Sequence, residues 1–276
     1  MPRGLPEPPT RAQLRTQLCD TRIAGDVETT RESNVRHYRR LAAGDPYYEL
    51  GLRFDREWSF AEVLALMVER VGVDPDPGHV MGADTIDPDL TITALERMAK
   101  RVAAVADRGE RVLVATGHPG GMLPVHTALA RALRDRGCTL LTPAEGWQYP
   151  AERYAEHSSE PGAGHLTYRD DVAMITDRLG PRHTHAPEPM RAMLAGLAAA
   201  GQAPPGFVIA DHGFAGAAGD AGIETVAFAD CNDPGLFLGE AEGRIEVTVP
   251  LDDHVNPRFY APLTAYLLDQ AGLLGT

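Results

Sequence analysis

Hydrophobic and polar residues alternate along the second half of the chain in a pattern that predicts short buried strands separated by helices. The apolar runs are RVLVAT, CTLLT, a segment near 172–176, FVIAD, TVAFAD and IEVTV. Amphipathic helices are predicted around them, over 93–108, 122–136, 187–200, 214–221 and 257–270. Short apolar strands that alternate with helices are typical of a parallel sheet covered on both faces. We therefore predict an α/β fold with a doubly wound, mostly parallel sheet.

The first part of the chain shows a helical pattern without predicted strands. Helical periodicity covers 10–23, 28–43 and 58–71. The proline-rich start, residues 1–10, is predicted to be disordered, and residues 72–90, dense in Pro, Gly and Asp, predict a connection. The sequence thus predicts a helical N-terminal region over 1–82 and an α/β core domain over 83–276.

Composition excludes several classes of function. A formal net charge of −13 argues against a nucleic-acid partner, because little would neutralise a run of phosphates. Lys100 is the sole lysine, so a Walker-type GK[ST] loop is absent. The cysteines form no CxxC pair, which predicts reduced thiols. The start of the chain shows no signal peptide and no apolar run reaches membrane-spanning length, so we expect a cytoplasmic protein without a membrane partner.

Reactive side chains follow the predicted strands. The polar residues placed after strands are His118, Glu145, His183, His185, Asp211, His212, Asp230, Asp252, Asp253 and His254. Ligands of open parallel sheets bind beyond the carboxyl ends of the strands, so we expect these residues to share a site. A structural role is the favoured interpretation for each one alone, and their joint placement is what indicates the site.

The turn TGHPGG connects the first predicted strand of the core to a helix. Backbone amides at a helix N-terminus favour an anion, and glycines let the backbone approach it closely. We predict that Gly117, His118, Gly120 and Gly121 bind a phosphate, with a tight strand-to-helix turn as the alternative. His126, inside the following helix, is predicted to be structural.

The motif RHTH places His183 and His185 two residues apart, on one side of an extended segment, where both can bind one metal ion. Asp252 and Asp253 would add carboxylate ligands. These four residues are the predicted metal ligands, for Mg²⁺, Mn²⁺ or Zn²⁺. A polar loop with two unrelated histidines is the alternative.

Catalysis is predicted to rest on His183, Asp211, His212 and Asp252. They would either position a metal-bound water or perform acid–base chemistry directly. No C-x5-R or G-x-S-x-G nucleophile motif occurs in the chain.

A locally basic stretch, residues 22–40, lies in the N-terminal region of this acidic protein. Arg31, Asn34 and Arg36 could reach over the strand ends and hold a phosphate, and Arg31 is the predicted phosphate ligand. A solvated helix face is the alternative.

The motifs ATGHPGG, RHTHAPEPM, ADHGFAG and VPLDDHVNPRFY occur in this order, with TTRESN before them. Over most of the chain this combination resembles a family of actinobacterial proteins known simply as phosphatases. The run TVAFADCNDPGLFLGEAEGRIEVTV resembles SIS-type phosphosugar-binding domains, with HGFAG and GHPGG in place of their serine-rich phosphate loop. The two resemblances imply a phosphatase activity and a phosphosugar-like ligand.

These observations predict a phosphomonoester hydrolase that acts on a small phosphorylated metabolite, with a divalent metal ion as its candidate cofactor. A non-catalytic phosphosugar-binding module and a sugar-phosphate isomerase stay open as alternatives. The sequence is compatible with a homodimer.

Overall fold

The computed structural model describes residues 4–149 and 164–274. The N-terminal elements are α1 (Arg11–Asp20), β1 (Gly25–Thr30), α2 (Arg31–Ala42), α3 (Phe60–Val71), β2 (Ala83–Ile86) and α4 (Pro88–Arg108). Residues 1–3 of the segment predicted to be disordered lie outside the described residues, and Thr10 at its other end caps α1. The predicted division of the chain at residues 82 and 83 stays a prediction.

The remaining elements form the core. They are β3 (Arg111–Ala115), α5 (Pro119–Asp135), β4 (Thr139–Leu140), β5 (Gln148–Tyr149), β6 (Gly164–Arg169), β7 (Val172–Asp177), β8 (Gly180–Arg182), α6 (Glu188–Ala199), β9 (Phe207–Asp211), α7 (His212–Asp220), β10 (Thr225–Ala229), α8 (Pro234–Ala241), β11 (Val247–Pro250), a 3-10 helix (Pro257–Tyr260) and α9 (Ala261–Gln270).

The main sheet has the strand order β11-β10-β9-β3-β7-β6-β5. Strands β11, β10, β9, β3 and β7 run parallel, and the short β4 pairs with the start of β3. Strands β5, β6 and β8 add antiparallel pairs at the far side. The prediction of a mostly parallel sheet is therefore confirmed.

Helices cover both faces of this sheet. Contacts join α1, α4, α5 and α9 into one group, and join α6, α7, α8 and α3 into another. Strands β9 and β10 are buried at every position, as strands covered on both faces must be. The doubly wound architecture is confirmed, together with helices in the N-terminal region.

The chain changes direction across the sheet between β3 and β9. From β9 the order continues through β10 to β11, whereas the strands that follow β3 in sequence lie on its other side. Such a switch point leaves a crevice at the carboxyl ends of the two strands, where open α/β sheets bind their ligands. His118 follows β3 and His212 follows β9, so both lie at this crevice.

The helix predicted over 28–43 begins later, because β1 occupies its first residues. Strand β1 pairs antiparallel with β2, which lies inside the stretch predicted to be a connection. Thr30 then caps α2, since its side chain accepts a hydrogen bond from the amide of Ser33. This two-stranded pairing joins segments more than fifty residues apart, and periodicity within either segment does not reveal it.

Two further helices begin earlier than predicted. Helix α4 begins at Pro88, because proline suits the first helical turn, and the Asp87 side chain caps it by accepting a hydrogen bond from the Asp89 amide. Helix α5 begins at Pro119, so half of the turn TGHPGG is already helical. Helix α8 begins at Pro234, in a stretch where no helix is predicted from the sequence.

Candidate functional site

A cavity of about 730 Å³ opens at the carboxyl ends of the parallel strands. One wall comes from the N-terminal region and the floor comes from the strand ends. The lining residues are Glu28, Thr29, Arg36, His37, Arg40, Tyr47, Tyr48, His118, His183, His185, His212, Asp230, Asn232, Asp233, Asp252, Asp253 and His254.

His212 lies at a sharp elbow between β9 and α7. Its backbone has a φ of 48°, the left-handed region that costs a residue with a side chain conformational energy. Gly213 follows directly, and a Cβ there would collide with the carbonyl oxygens of His185 and Ala186. The sequence Asp-His-Gly thus allows the chain to turn at once and directs the His212 ring into the cavity.

Asp211 lies beneath this ring and is fully buried. Its carboxylate accepts hydrogen bonds from His212 Nδ1 at 3.0 Å, Thr116 Oγ1 at 2.6 Å and the Gly117 amide at 2.5 Å. Burial opposes its ionisation, but the His212 hydrogen bond and charge hold the pKa of Asp211 well below its usual range. Asp211, predicted as a catalytic residue, does not line the cavity, and its contacts hold the His212 ring in place.

Three histidine rings meet around His212. His183 Nε2 lies 3.2 Å from His212 Nε2, and the rings of His118 and His183 stack with centroids 4.4 Å apart. One nitrogen from each of His118, His183 and His212 lies within 4.8 Å of the others. His185 Nδ1 completes the group on the other side, 3.8 Å from Asp233 Oδ1. Imidazole nitrogens at this spacing can hold a metal ion.

Three carboxylates form the other part of the floor. Oxygen atoms of Asp230, Asp252 and Asp253 also lie within 4.8 Å of one another. Asp230 accepts a hydrogen bond from Thr29 Oγ1 at 2.5 Å, and Asp252 accepts one from the Glu28 amide at 3.2 Å. Burial and the neighbouring carboxylates raise the pKa of Asp230 well above its usual range. A divalent cation would relieve this repulsion, and hard oxygen ligands suit Mg²⁺ or Mn²⁺.

Several polar atoms of the floor are buried without a hydrogen-bond partner among the described residues. They are His118 Nδ1, His185 Nδ1 and Asp253 Oδ2. His118 Nδ1 lies 3.1 Å from Asp253 Oδ1, but the two groups are not aligned for a hydrogen bond. Because buried polar groups are nearly always paired, atoms that converge in this manner fit the ligand set of a cation.

The carboxylates also control the charge of the histidines. Burial opposes a charge on His212, but Asp233, Asp211 and Asp253 raise the pKa of His212 to about 10. His183 stands partly in solvent at the cavity mouth. The surrounding protein and repulsion from His212 lower its pKa, which leaves its ring neutral. The floor thus attracts positive charge while His183 keeps a lone pair available for a ligand bond.

A profile of the family described as Phosphatase matches residues 9–275. The chain belongs to this family. It is 52% identical over 271 residues to Phosphatase SCO2771 of Streptomyces coelicolor, and the aligned region covers 98% of this chain and 99% of that protein. The resemblance to actinobacterial phosphatases is confirmed, and the chain is a phosphatase. The resemblance of its C-terminal half to SIS-type domains stays a prediction.

The structure brings together most of the predicted site residues. His183, His185, His212, Asp252 and Asp253 all line the cavity. They are joined there by His118, Asp230 and His254. Glu145, which was expected with them, is exposed and does not line this cavity, because β4 pairs with the start of β3 and not with its carboxyl end.

The glycines of the turn TGHPGG have a different task from the phosphate binding predicted for Gly117, Gly120 and Gly121. The Gly117 amide donates to Asp211, and the Gly121 amide donates to the His118 carbonyl at 3.2 Å. A Cβ on Gly121 would collide with the carbonyl oxygen of Asp253. Gly117 and Gly121 therefore allow the loops to pack closely. None of the three glycines lines the cavity, which His118 reaches with its ring.

Arg31, predicted as a phosphate ligand, does not line the cavity. Its guanidinium is fully buried and pairs with Asp84 at 2.9 Å. It donates further hydrogen bonds to the carbonyl oxygens of Asp76 and His79. Arg31 thus holds α2 against the 74–84 segment, and Arg36 and Arg40, further along α2, are arginines that line the cavity.

Asp233, His37 and Tyr47 are cavity residues that sequence reasoning missed. Asp233 belongs to DCNDP, directly after TVAFAD, so its position after a strand was a signal. Tyr47 stacks on the His185 ring with centroids 4.6 Å apart. It comes from the loop after α2, and no local pattern indicates that this loop reaches the strand ends. In the described part of the chain, no helix is long and apolar enough to span a bilayer.

Proposed function

We propose that this phosphatase is a metal-assisted phosphomonoester hydrolase that acts on a small phosphorylated metabolite. The proposal rests on one observation, the convergence of unpartnered buried ligand atoms on the cavity floor. His212 Nε2 lies 3.3 Å from Asp233 Oδ2 and 3.6 Å from Asp253 Oδ2, without hydrogen bonds between them. A shared cation would satisfy all of these atoms together.

The donor types divide the floor into two neighbouring ligand sets. The nitrogen-rich set consists of His118, His183, His185, His212 and Asp233, and imidazole ligands of this kind suit Zn²⁺. The oxygen set consists of Asp230, Asp252 and Asp253. Asp253 approaches both His118 and His212, so it connects the two sets.

Electrostatics supports a bound cation for a second reason. Asp230, Asp233, Asp252 and Asp253 give the floor several negative charges, which would repel a phosphate dianion. Cations bound by these carboxylates would remove the repulsion. The acidic floor and the phosphatase family together therefore support a bound metal.

A bound divalent ion supplies a nucleophilic water at neutral pH and stabilises the charge that develops on the phosphoryl oxygens. The chain's own residues prepare that chemistry. Asp211 accepts the hydrogen on His212 Nδ1, so Nε2 faces the cavity and would lose its proton when a cation binds there. Hydrolysis would transfer the phosphoryl group to water and break the ester P–O bond. The leaving alkoxide would take up the proton that the water loses and depart as the alcohol.

The test combines metal analysis with phosphate release. The purified protein, a His212→Ala variant and a His183→Ala variant would be analysed for bound metal by mass spectrometry. Each would then be assayed with p-nitrophenyl phosphate and a panel of metabolite phosphates, with and without EDTA. His165→Ala is the matched control, because His165 lies on β6 and does not line the cavity.

We expect bound metal, EDTA-sensitive turnover and loss of both in the cavity variants but not in the control. Metal-free turnover that survives EDTA would overturn the metal assignment while the phosphatase stands. Interconversion of a sugar phosphate without phosphate release would replace the hydrolase with an isomerase. Saturable binding without any turnover would indicate the non-catalytic module.

A further inference from the structure

Helix α2 presents two arginines to the cavity. Arg36 and Arg40 lie one helical turn apart and both line it, opposite the acidic and histidine-rich floor. Both side chains are exposed. In a protein with a net charge of −13, this wall gives the cavity a positive side that faces a negative floor.

These arginines have spare hydrogen-bonding capacity. Within the described residues, no carboxylate lies within ion-pair distance of Arg36, whose Nη2 contacts His37 Nε2 at 3.3 Å. Arg40 has a loose contact with Asp45, at 3.8 Å. Because arginine can only donate, His37 Nε2 accepts, and His37 Nδ1 donates to the Asn232 carbonyl at 2.7 Å.

The opposite face of α2 fixes the position of these arginines. Asn34 donates to Asp84 at 2.7 Å and contacts Cys231 Sγ at 3.3 Å. Tyr38 donates to the Cys231 carbonyl at 2.6 Å. Cys231 lies between Asp230 and Asn232, so α2 is attached to the loop that carries part of the acidic floor. The separation between the arginines and the floor is therefore built into the fold.

Arg36 and Arg40 also border a second depression of about 330 Å³, which Glu32, Val35, Arg39 and Val80 line as well. A group bound by the two arginines would therefore lie between the main cavity and this depression. A single phosphate on the floor would leave the wall without an anion.

We propose that the substrate carries a second anionic group, a phosphate or a carboxylate, which Arg36 and Arg40 bind while the reacting phosphoryl group occupies the floor. Arginine forms charge-assisted, frequently bidentate hydrogen bonds with both kinds of group. The fixed separation would then select substrates by the distance between their two anionic groups. This inference rests on the proposed function for the identity of the first group.

Binding of non-hydrolysable probes tests the inference independently of turnover. Isothermal titration calorimetry of the metal-loaded protein would compare an alkylphosphonate, α,ω-alkanediphosphonates of increasing chain length and the corresponding ω-phosphonocarboxylates. Arg36→Ala and Arg40→Ala are the test variants. Arg53→Ala is the control, since it removes the same charge from an exposed arginine that pairs with Asp220 outside the cavity.

We expect the wild type to prefer one length of two-anion probe over the monophosphonate. Each test variant should weaken that probe about tenfold or more while it leaves the monophosphonate unchanged. The probe that binds more tightly, the diphosphonate or the phosphonocarboxylate, identifies the second anionic group as a phosphate or a carboxylate. An equal affinity for all probes, or a preference that persists in both variants, would overturn the second-anion site.

A measurement of phosphate release distinguishes failure of the second-anion site from failure of the proposed hydrolase function. Phosphate release without any arginine-dependent preference would overturn the second-anion site and leave the hydrolase intact. An arginine-dependent preference in a protein that releases no phosphate would support the site and overturn the hydrolase.

Discussion

His212 Nδ1 donates to the carboxylate of Asp211, the residue immediately before it, at 3.0 Å. Neighbouring residues in a strand point to opposite faces, so this contact requires the left-handed backbone of His212. The carboxylate is also the acceptor for Thr116 and Gly117, at the end of β3. One buried carboxylate thus connects the two strands of the switch point and orients a central ring of the site.

Asp211→Asn should reduce metal affinity and kcat without unfolding the protein. Loss of a carboxylate that orients a metal-binding histidine typically costs about 10–100-fold in metal affinity or activity. A metal titration followed by calorimetry, with kcat measured at saturating metal, would check this. Asp269→Asn on the exposed end of α9 is the control, and unchanged metal affinity in Asp211→Asn would remove the orienting role.

Gly121→Ala should destabilise the protein and disturb the floor. The added Cβ would meet the carbonyl oxygen of Asp253, and overpacking of this kind costs about 1–3 kcal/mol of unfolding free energy. Gly120→Ala is a closely matched control, because the nearest atom to its Cβ would be His118 Cδ2 at 3.9 Å. Chemical denaturation of both variants measures the difference. Equal stability of the two would contradict the close packing of α5 on the 252–254 loop.

Arg31→Ala should lower the unfolding free energy by about 3–5 kcal/mol, because it leaves the buried carboxylate of Asp84 unpaired. Arg15→Ala, which breaks a pair with Asp89 that is about half exposed, should lower it far less, because solvent screens such a pair. Urea unfolding of the two variants measures this difference in unfolding free energy. A raised KM with unchanged stability in Arg31→Ala would instead return Arg31 to the phosphate-binding role predicted from the sequence.

Removal of metal with a chelator should lower the thermal unfolding temperature. An ion that binds the native state alone stabilises it by about 2.7 kcal/mol when its concentration is a hundred times Kd. Differential scanning calorimetry before and after dialysis against EDTA, with Mg²⁺, Mn²⁺ or Zn²⁺ added back, would measure this. His212→Ala should show little chelator-dependent change, and a wild-type unfolding temperature indifferent to EDTA would argue against bound metal.

The sequence by itself determined the alternation of strands and helices and the residues that follow the strands. RVLVAT, FVIAD and TVAFAD became β3, β9 and β10 because their apolar side chains need burial on both faces of a sheet. Parallel strands bring their carboxyl ends to one edge, so His118, His212 and Asp230 had to meet there. Order along the chain and hydrophobicity were sufficient for this part of the site.

The tertiary structure decided what each of these groups contacts. Arg31 appeared as a candidate phosphate ligand, yet its buried partner Asp84 lies more than fifty residues away. The amides of TGHPGG appeared available, but Asp211 approaches Gly117 from another strand. Whether a polar group faces solvent, a ligand or a buried partner depends on contacts between distant segments. A local sequence pattern specifies the group but not the neighbour that satisfies it.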